Sequence, residues 1–303
     1  MILLDGKHIA AQIRSELRTE VEALTANGRR VPHLAVIIVG ENPASVTYVN
    51  NKIRACQDVG IEADVIALSD NISQEKLLLE VERLNANPSI DGYIVQLPLP
   101  EHINETDIIR AIDPMKDVDG LHPYNVGLTA FGLPSIVSAT PKGIRELLAR
   151  YDIQTEGKHV VVIGRSNIVG KPMAMLLMQR PYLALSKTAS AALGDATVTV
   201  CHSKTRNLKE LCLTADIIIV AVGQPCLLTA DMVRKGAVVI DVGINRVPAL
   251  ATERGYRLVG DVDFKLVSKK CSYITPVPGG VGPMTITSLL QNTLQAYMMN
   301  NSQ

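Results

Sequence analysis

Short apolar runs alternate with helix-length amphipathic stretches along almost all of the 303 residues, which confines the chain to the α/β classes of fold. A strand that is apolar throughout needs cover on both faces, and helices in the intervening segments supply it. The pattern predicts a first helix from Lys7 to Asn27, stopped by Gly28, and then a strand at Leu34–Val39. Asn42 and Pro43 are a natural N-cap and first helical residue for a helix over Pro43–Val59. Val65–Leu68 is the next strand, Ser73 caps a helix reaching Asn85, Tyr93–Val95 is a third strand, and Asn104 caps a helix ending near Ile112. Asp113–Leu133, rich in Gly, Pro and Asp, interrupts the alternation. It resumes with a helix capped by Thr140-Pro141 and ending near Arg150, followed by strands at His159–Ile163, Thr197–Cys201, Ile217–Ala221 and Val238–Asp241. Pro283–Asn300 carries a helical stripe of Ile286, Leu289, Leu290, Thr293, Leu294 and Tyr297. The expected architecture is two α/β domains, the second a Rossmann-like parallel sheet, with the last helix returning to the first domain.

With thirty basic and thirty acidic residues the net charge is zero, which argues against bulk nucleic acid or an anionic membrane as partner. The start, Met1-Ile-Leu-Leu-Asp-Gly-Lys7, reaches charge too early for a signal peptide, and apolar runs such as Ile217–Val222 are only strand-sized. Five scattered cysteines, without a C-x-x-C pair, suit a reducing, cytoplasmic setting. The six histidines fall singly, so no metal site is expected.

Val160–Pro172 is a strand, a Gly-containing turn and a helix start, the context in which backbone N–H groups hold a pyrophosphate. The turn is not G-x-G-x-x-G: Ser166 replaces the second glycine, and Gly170 falls one place later than the third. Gly170-Lys171 approaches a P-loop, but Pro172 stands where a magnesium-binding hydroxyl is needed, which argues against kinase or GTPase chemistry. An ordinary tight turn is the plain alternative. The next strand ends Cys201-His-Ser-Lys-Thr205, with hydroxyl and cationic groups where an NAD site would carry an acid. Together with Arg165 this favours NADP.

Tyr48 and Lys52 stand four apart on the expected Pro43–Val59 helix and so share a face. The plain reading is a solvated lysine beside a boundary tyrosine. The sharper reading needs burial to lower the lysine pKa enough for acid–base work.

The chain resembles the bifunctional methylenetetrahydrofolate dehydrogenase/methenyltetrahydrofolate cyclohydrolase family. The resemblance rests on Tyr48-Val-Asn-Asn-Lys52, Gln96-Leu-Pro-Leu-Pro100, Lys116-Asp-Val-Asp-Gly120, Gly164-Arg-Ser-Asn-Ile-Val-Gly170, Asp241-Val-Gly-Ile-Asn245 and Thr275–Thr285, which occur in the family's order across nearly the whole chain. It implies Lys52 as the catalytic lysine, Tyr48 beside the folate ring, Gln96 hydrogen-bonding near Lys52, and Asp119 on the donor edge of the pterin-like ring. Val95, Leu97 and Pro98 would complete that side. Pro276, Pro278, Gly279 and Gly280 would line the folate site opposite the nicotinamide. The implied NADP residues are Thr140 and Thr285; Gly164, Arg165, Ser166, Ile168, Val169 and Gly170; His202, Ser203, Lys204 and Thr205; and Val222, Gly223, Gly243 and Ile244. Folate would occupy residues 1–138 with 275–303 and NADP residues 139–274, with a catalytic cleft between the domains and a homodimer formed through the nucleotide domains. The implied partners are tetrahydrofolate one-carbon derivatives.

One departure is the 18-residue stretch Gln179–Ala196, longer than the family usually shows. It is expected opposite the strand C-termini, with an extra helical turn or two through Leu183–Ala192, altering the surface or a subunit contact. Two rivals stay open: a dehydrogenase of the same fold that lacks the hydrolytic step or uses another substrate, and a non-catalytic NADP-binding sensor. Tracking NADPH and methenyl product separately discriminates among them.

Overall fold

The computed structural model describes residues 1–181, 193–249 and 255–301. By packing, the chain divides into two compact units. The large-sheet unit comprises Met1–Ala10, Ala130–Pro134 and Thr140–Thr285, and the small-sheet unit comprises Ala11–Thr129, Ser135–Ala139 and the residues from Ile286 onward. In chain order the elements begin β1 (Ile2–Leu3), α1 (Gly6–Ala26), β2 (His33–Val39), α2 (Pro43–Val59), β3 (Glu62–Leu68), α3 (Gln74–Ala86), β4 (Gly92–Val95), α4 (Glu105–Ala111), α5 (Pro123–Phe131) and α6 (Ala139–Arg150). They continue with β5 (His159–Ile163), α7 (Gly170–Met178), β6 (Thr197–Cys201), α8 (Leu208–Thr214), β7 (Ile217–Val220), β8 (Val238–Asp241), β9 (Asn245–Pro248), β10 (Tyr256–Val259), α9 (Phe264–Val267), β11 (Tyr273–Ile274) and α10 (Val281–Asn300). None of the helices is long and apolar enough to cross a membrane, among the described residues.

In the small-sheet unit three parallel strands lie in the order β3-β2-β4. Ala35, Ile37 and Val39 of β2 pack against Leu77, Val81 and Leu84 of α3. The α2 helix has its expected bounds: Asn42 Oδ1 accepts the Ala44 N–H at 2.9 Å, and Gly60 closes the helix at φ 81°. Strand β3 starts at Glu62 rather than Val65, because ladder pairing with β2 begins at His33–Glu62 and main-chain bonds ignore side-chain polarity. The expected break at Asp113–Leu133 holds a helix, α5. Pro123 supplies the φ of its first residue, while Gly127 and Gly132 hide it from composition. Likewise α6 starts at Ala139, before the expected cap, because the Ala139 N–H finds the Asp119 carbonyl at 3.2 Å.

The large-sheet unit holds six parallel strands in the order β1-β11-β8-β7-β5-β6. After β5 the chain adds β6 on one side and β7 on the other, so β5 and β7 flank a topological switch point, where doubly wound sheets bind ligands. The antiparallel pair β9–β10 is an addition the sequence pattern does not announce. The base of the long Gln179–Ala196 connection is closed by the Asp195 N–H on Gln179 O at 2.7 Å, next to the N-terminal end of β6. The turns expected through Leu183–Ala192 lie outside the described residues.

Candidate active site

In the small-sheet unit, α2 turns Lys52 inward: the side chain is buried, and Nζ donates to Gln96 Oε1 at 3.1 Å. Gln96 follows β4 directly, and its Nε2 donates to Leu97 O at 2.6 Å, which leaves Oε1 to face the lysine. Lys52 Nζ also lies 5.1 Å from the centre of the Tyr48 ring. Burial lowers the Lys52 pKa, and the charge of Asp119 opposes that shift. Cys56, one turn further along α2, is pushed up to about 12 by burial and so stays a neutral thiol. The amine therefore faces an amide oxygen, a ring and a thiol, surroundings that tolerate it uncharged.

Asp119 sits on a loop whose other motif members are anchors. Lys116 Nζ donates to Leu84 O, Asn85 O and Asn87 O at 2.9, 2.9 and 2.6 Å, capping the carbonyl end of α3. The buried Asp117 carboxylate accepts the Leu121 and His122 N–H groups and Asn125 Nδ2. Gly120, at φ 70°, lies where a Cβ would come within 2.4 Å of Ser138 N. Asn292 of α10 donates to Val118 O and Val137 O, both at 2.8 Å, from the other side. Asp119 is left half-buried on this anchored loop, and among the hydrogen bonds of the described residues its carboxylate takes part in none. Nearby, Val95 is buried, Leu97 half-buried and Pro98 exposed. Glu105, which sequence reasoning did not single out, accepts the Leu99 N–H at 3.0 Å and fixes the segment after Gln96.

The loop after β11 belongs to the large-sheet unit. Pro276 and Gly279 are half-buried, Pro278 exposed and Gly280 buried, and Gly279 takes φ 107°. The start of α1 holds this loop: Lys7 N–H donates to Gly279 O at 2.9 Å, and a Cβ on Gly6 would lie 1.8 Å from Gly280 O. Thr140 and Thr285 meet hydroxyl to hydroxyl at 3.1 Å.

The nucleotide-type residues gather at the C-terminal ends of β5 to β8. A Cβ on Gly164 (φ 126°) would lie 2.3 Å from Ala221 O, and one on Gly170 would lie 2.2 Å from Gly164 O. Ser166 Oγ accepts the Val169 and Gly170 N–H groups at 3.1 and 3.4 Å, folding the turn in place of the missing glycine pattern. Arg165, Ser166 and Ile168 stay exposed and Val169 half-buried. After β6, His202 N–H donates to Thr205 Oγ1 at 2.9 Å and Thr205 N–H returns to His202 O at 2.8 Å, a tight turn that leaves Ser203 and Lys204 exposed. Exposed Arg165 and Lys204, with no acid closing β6, fit a nucleotide bearing an extra phosphate.

Val222 and Gly223 follow β7, and Gly243 and Ile244 follow β8. Beneath them lie two buried carboxylates, Asp241 and Asp261. Burial pushes Asp241 up to about 6, against three backbone N–H groups that stabilise its charge. In the sequence Asp241 stands out only as part of the Asp241–Asn245 motif, and Asp261 has no signal beyond the polar turn Gly260–Asp263.

Two family descriptions match the chain: tetrahydrofolate dehydrogenase/cyclohydrolase, catalytic domain, over residues 4–119, and the NAD(P)-binding domain of the same family over residues 138–301. The chain is 57% identical over 294 residues to the Bifunctional protein FolD of Porphyromonas gingivalis, covering 97% of this chain and 96% of the relative. Among solved structures, the bifunctional FolD methylenetetrahydrofolate dehydrogenase/cyclohydrolase of Campylobacter jejuni matches at 49% identity and a TM-score of 0.88, covering 98% of each chain. The Trypanosoma brucei FolD solved with NADP cofactor and inhibitor matches at 39% identity and a TM-score of 0.90, covering 99% of this chain and 98% of that one.

Proposed function

This chain belongs to the tetrahydrofolate dehydrogenase/cyclohydrolase family, and from that premise we propose how its own residues carry the reaction. It is a bifunctional one-carbon enzyme that oxidises 5,10-methylenetetrahydrofolate to the 5,10-methenyl form with NADP⁺ and hydrolyses that product to 10-formyltetrahydrofolate. NADP⁺, when bound, accepts the hydride from the methylene carbon. Arg165, Ser203 and Lys204 hold its 2′-phosphate, and the turn from Gly164 to Gly170, together with Thr140, Thr285, His202, Thr205, Val222, Gly223, Gly243 and Ile244, forms the rest of its seat. Asp119 accepts from the pterin-like ring, while Tyr48, Val95, Gln96, Leu97, Pro98 and the Pro276–Gly280 loop orient the folate. Orientation alone is worth about 7–11 kcal/mol at best, and hydride transfer asks little more of the side chains.

Hydrolysis asks for proton transfers, for which a positioned base gives about 10²–10⁴-fold. Water adds to the methenyl carbon and gives a proton to the Lys52 amine; as the bond from that carbon to N5 breaks, the lysine returns the proton to N5. Loss of the adduct's remaining hydroxyl proton to solvent completes the formyl group. The observation that carries this reading is the buried Lys52 amine held on Gln96 Oε1 at 3.1 Å. The two activities are separable by following NADPH and 10-formyltetrahydrofolate independently. Lys52→Met should lose cyclohydrolase activity by about 10²-fold or more while retaining most dehydrogenase turnover, and equal loss of both in a folded variant would refute the division of labour.

The same reading assigns folate to residues 1–138 with 275–303 and NADP to residues 139–274. It includes a cytoplasmic homodimer built through the nucleotide-binding part. Support comes from the free cysteines Cys56, Cys201, Cys212, Cys226 and Cys271, and from β6, an edge strand with Val200 38% exposed.

A further inference from the structure

We infer that Asp261 is a positioning residue for the dinucleotide, setting the two loops that follow β7 and β8 without itself reaching the ligand; the inference rests on the NADP reading above. Asp261 is fully buried. Its Oδ2 accepts the N–H groups of Val222 at 2.8 Å and Gly223 at 2.9 Å. Its Oδ1 accepts Asn245 Nδ2 at 2.9 Å, at the start of β9. One carboxylate thus ties down both loops, and the Val222 and Gly223 N–H groups are spent inward on it.

The carboxylate is itself fixed from below. Asp241 Oδ1 accepts the Asp261 N–H at 2.9 Å and the Gly243 N–H at 3.0 Å, and its Oδ2 accepts the Val262 N–H at 3.0 Å. Glycine makes room at both contacts: a Cβ on Gly243 would lie 2.2 Å from Asp261 Oδ1, and one on Gly260 would lie 1.8 Å from Asp241 Oδ2. Among the hydrogen bonds of the described residues, no lysine or arginine pairs with either acid. Every bond goes to an N–H group of a loop or strand end. A buried charge without a counter-ion is an expensive way to stabilise a core. As a way to fix several amide groups at once, a carboxylate with charge-assisted bonds is well suited. The outer surfaces of the two loops remain open, with Val222 39% and Ile244 52% exposed.

The test titrates NADP⁺ into wild type, Asp261→Ala and Asp261→Asn by calorimetry, and assays cyclohydrolase activity without cofactor. Asp261→Ala should raise the Kd for NADP⁺ at least tenfold. Asp261→Asn keeps an oxygen for the Val222 and Gly223 N–H groups and should recover affinity to within about threefold of wild type. Cyclohydrolase turnover should fall far less than NADP⁺ affinity in both. An unchanged Kd in Asp261→Ala, or a parallel fall of hydrolysis and affinity, overturns the inference. If Asp261→Ala does not fold, Asn245→Asp sets a second carboxylate against Asp261 from a half-buried position and should weaken NADP⁺ several-fold; unchanged affinity there overturns it equally. A wild type that does not bind NADP⁺ overturns the cofactor reading itself, and the inference with it.

Discussion

Burying the Lys52 amine between Gln96, Cys56 and the Tyr48 ring strips it of water, so the folded chain favours its neutral form while the unfolded chain keeps the ordinary value of 10.5. The sign of the linkage follows. Where both states are protonated the penalty is complete, and it is relieved as pH rises through the lowered folded pKa towards 10.5. Lys52→Met, similar in length and without the charge, should therefore melt higher than wild type, by about 2–4 °C for each kcal/mol recovered. Differential scanning calorimetry between pH 6 and 10 should find the gap widest at the acid end and closing towards the alkaline end. A variant that melts lower throughout would mean the amine's bond to Gln96 outweighs its desolvation. The spacing of Tyr48 and Lys52 was legible in the sequence, but the inward turn of Lys52 was not. Spacing places two residues on one face; only packing decides whether that face is wet.

Among elements, those whose start and stop are both local were the legible ones. For α2, Asn42 and Gly60 mark both ends within the chain's own hydrogen bonds, and its bounds came out unaltered. The α5 helix has Pro123 at its start and Gly132, at φ 68°, just past its end, but both are masked by a stretch rich in Gly and Pro, and it draws further support from Asn125 donating to Pro114 O and Asp117 Oδ2, contacts that composition cannot display. The pair β9–β10 is similar, since its register of Asn245 opposite Val259 depends on partners met across a connection. In the motif around Asp119, residue types were legible while roles were not: Lys116 and Asp117 stood only as members of the motif, and they serve as anchors. Gly6 makes the same point at the seam between α1 and the Pro276–Gly280 loop. Gly6→Ala forces a methyl against Gly280 O, an overpacking that typically costs about 1–3 kcal/mol. Steady-state kinetics should show the KM for methylenetetrahydrofolate rising several-fold, with a larger effect than on the KM for NADP⁺. An unchanged folate KM would detach that loop from the substrate.

At the scale of the whole molecule the large sheet is assembled from the two extremes of the sequence. Its strands β5 to β8 follow one another in the sequence, whereas β1 pairs with β11, so Leu3 lies opposite Ile274. Contacts so distant in sequence form late, because closing the intervening loop costs entropy before any bond repays it. Pulse-labelled refolding should show the amides of β7 protected before those of Ile2 and Leu4, which donate to Ser272 O and Ile274 O. Simultaneous protection would instead mark the terminal pairing as part of the folding nucleus. On a ribosome the ordering is stricter. Ile2 and Leu3 emerge ahead of the other strands of this sheet and then wait until Tyr273 and Ile274 have been added, and the Lys7 contact with Gly279 must wait longer still. Strand β1 is therefore made before the strands it joins yet is among the last to be placed, and a stalled or prematurely terminated nascent chain, however well its middle has folded, cannot set the Pro276–Gly280 loop.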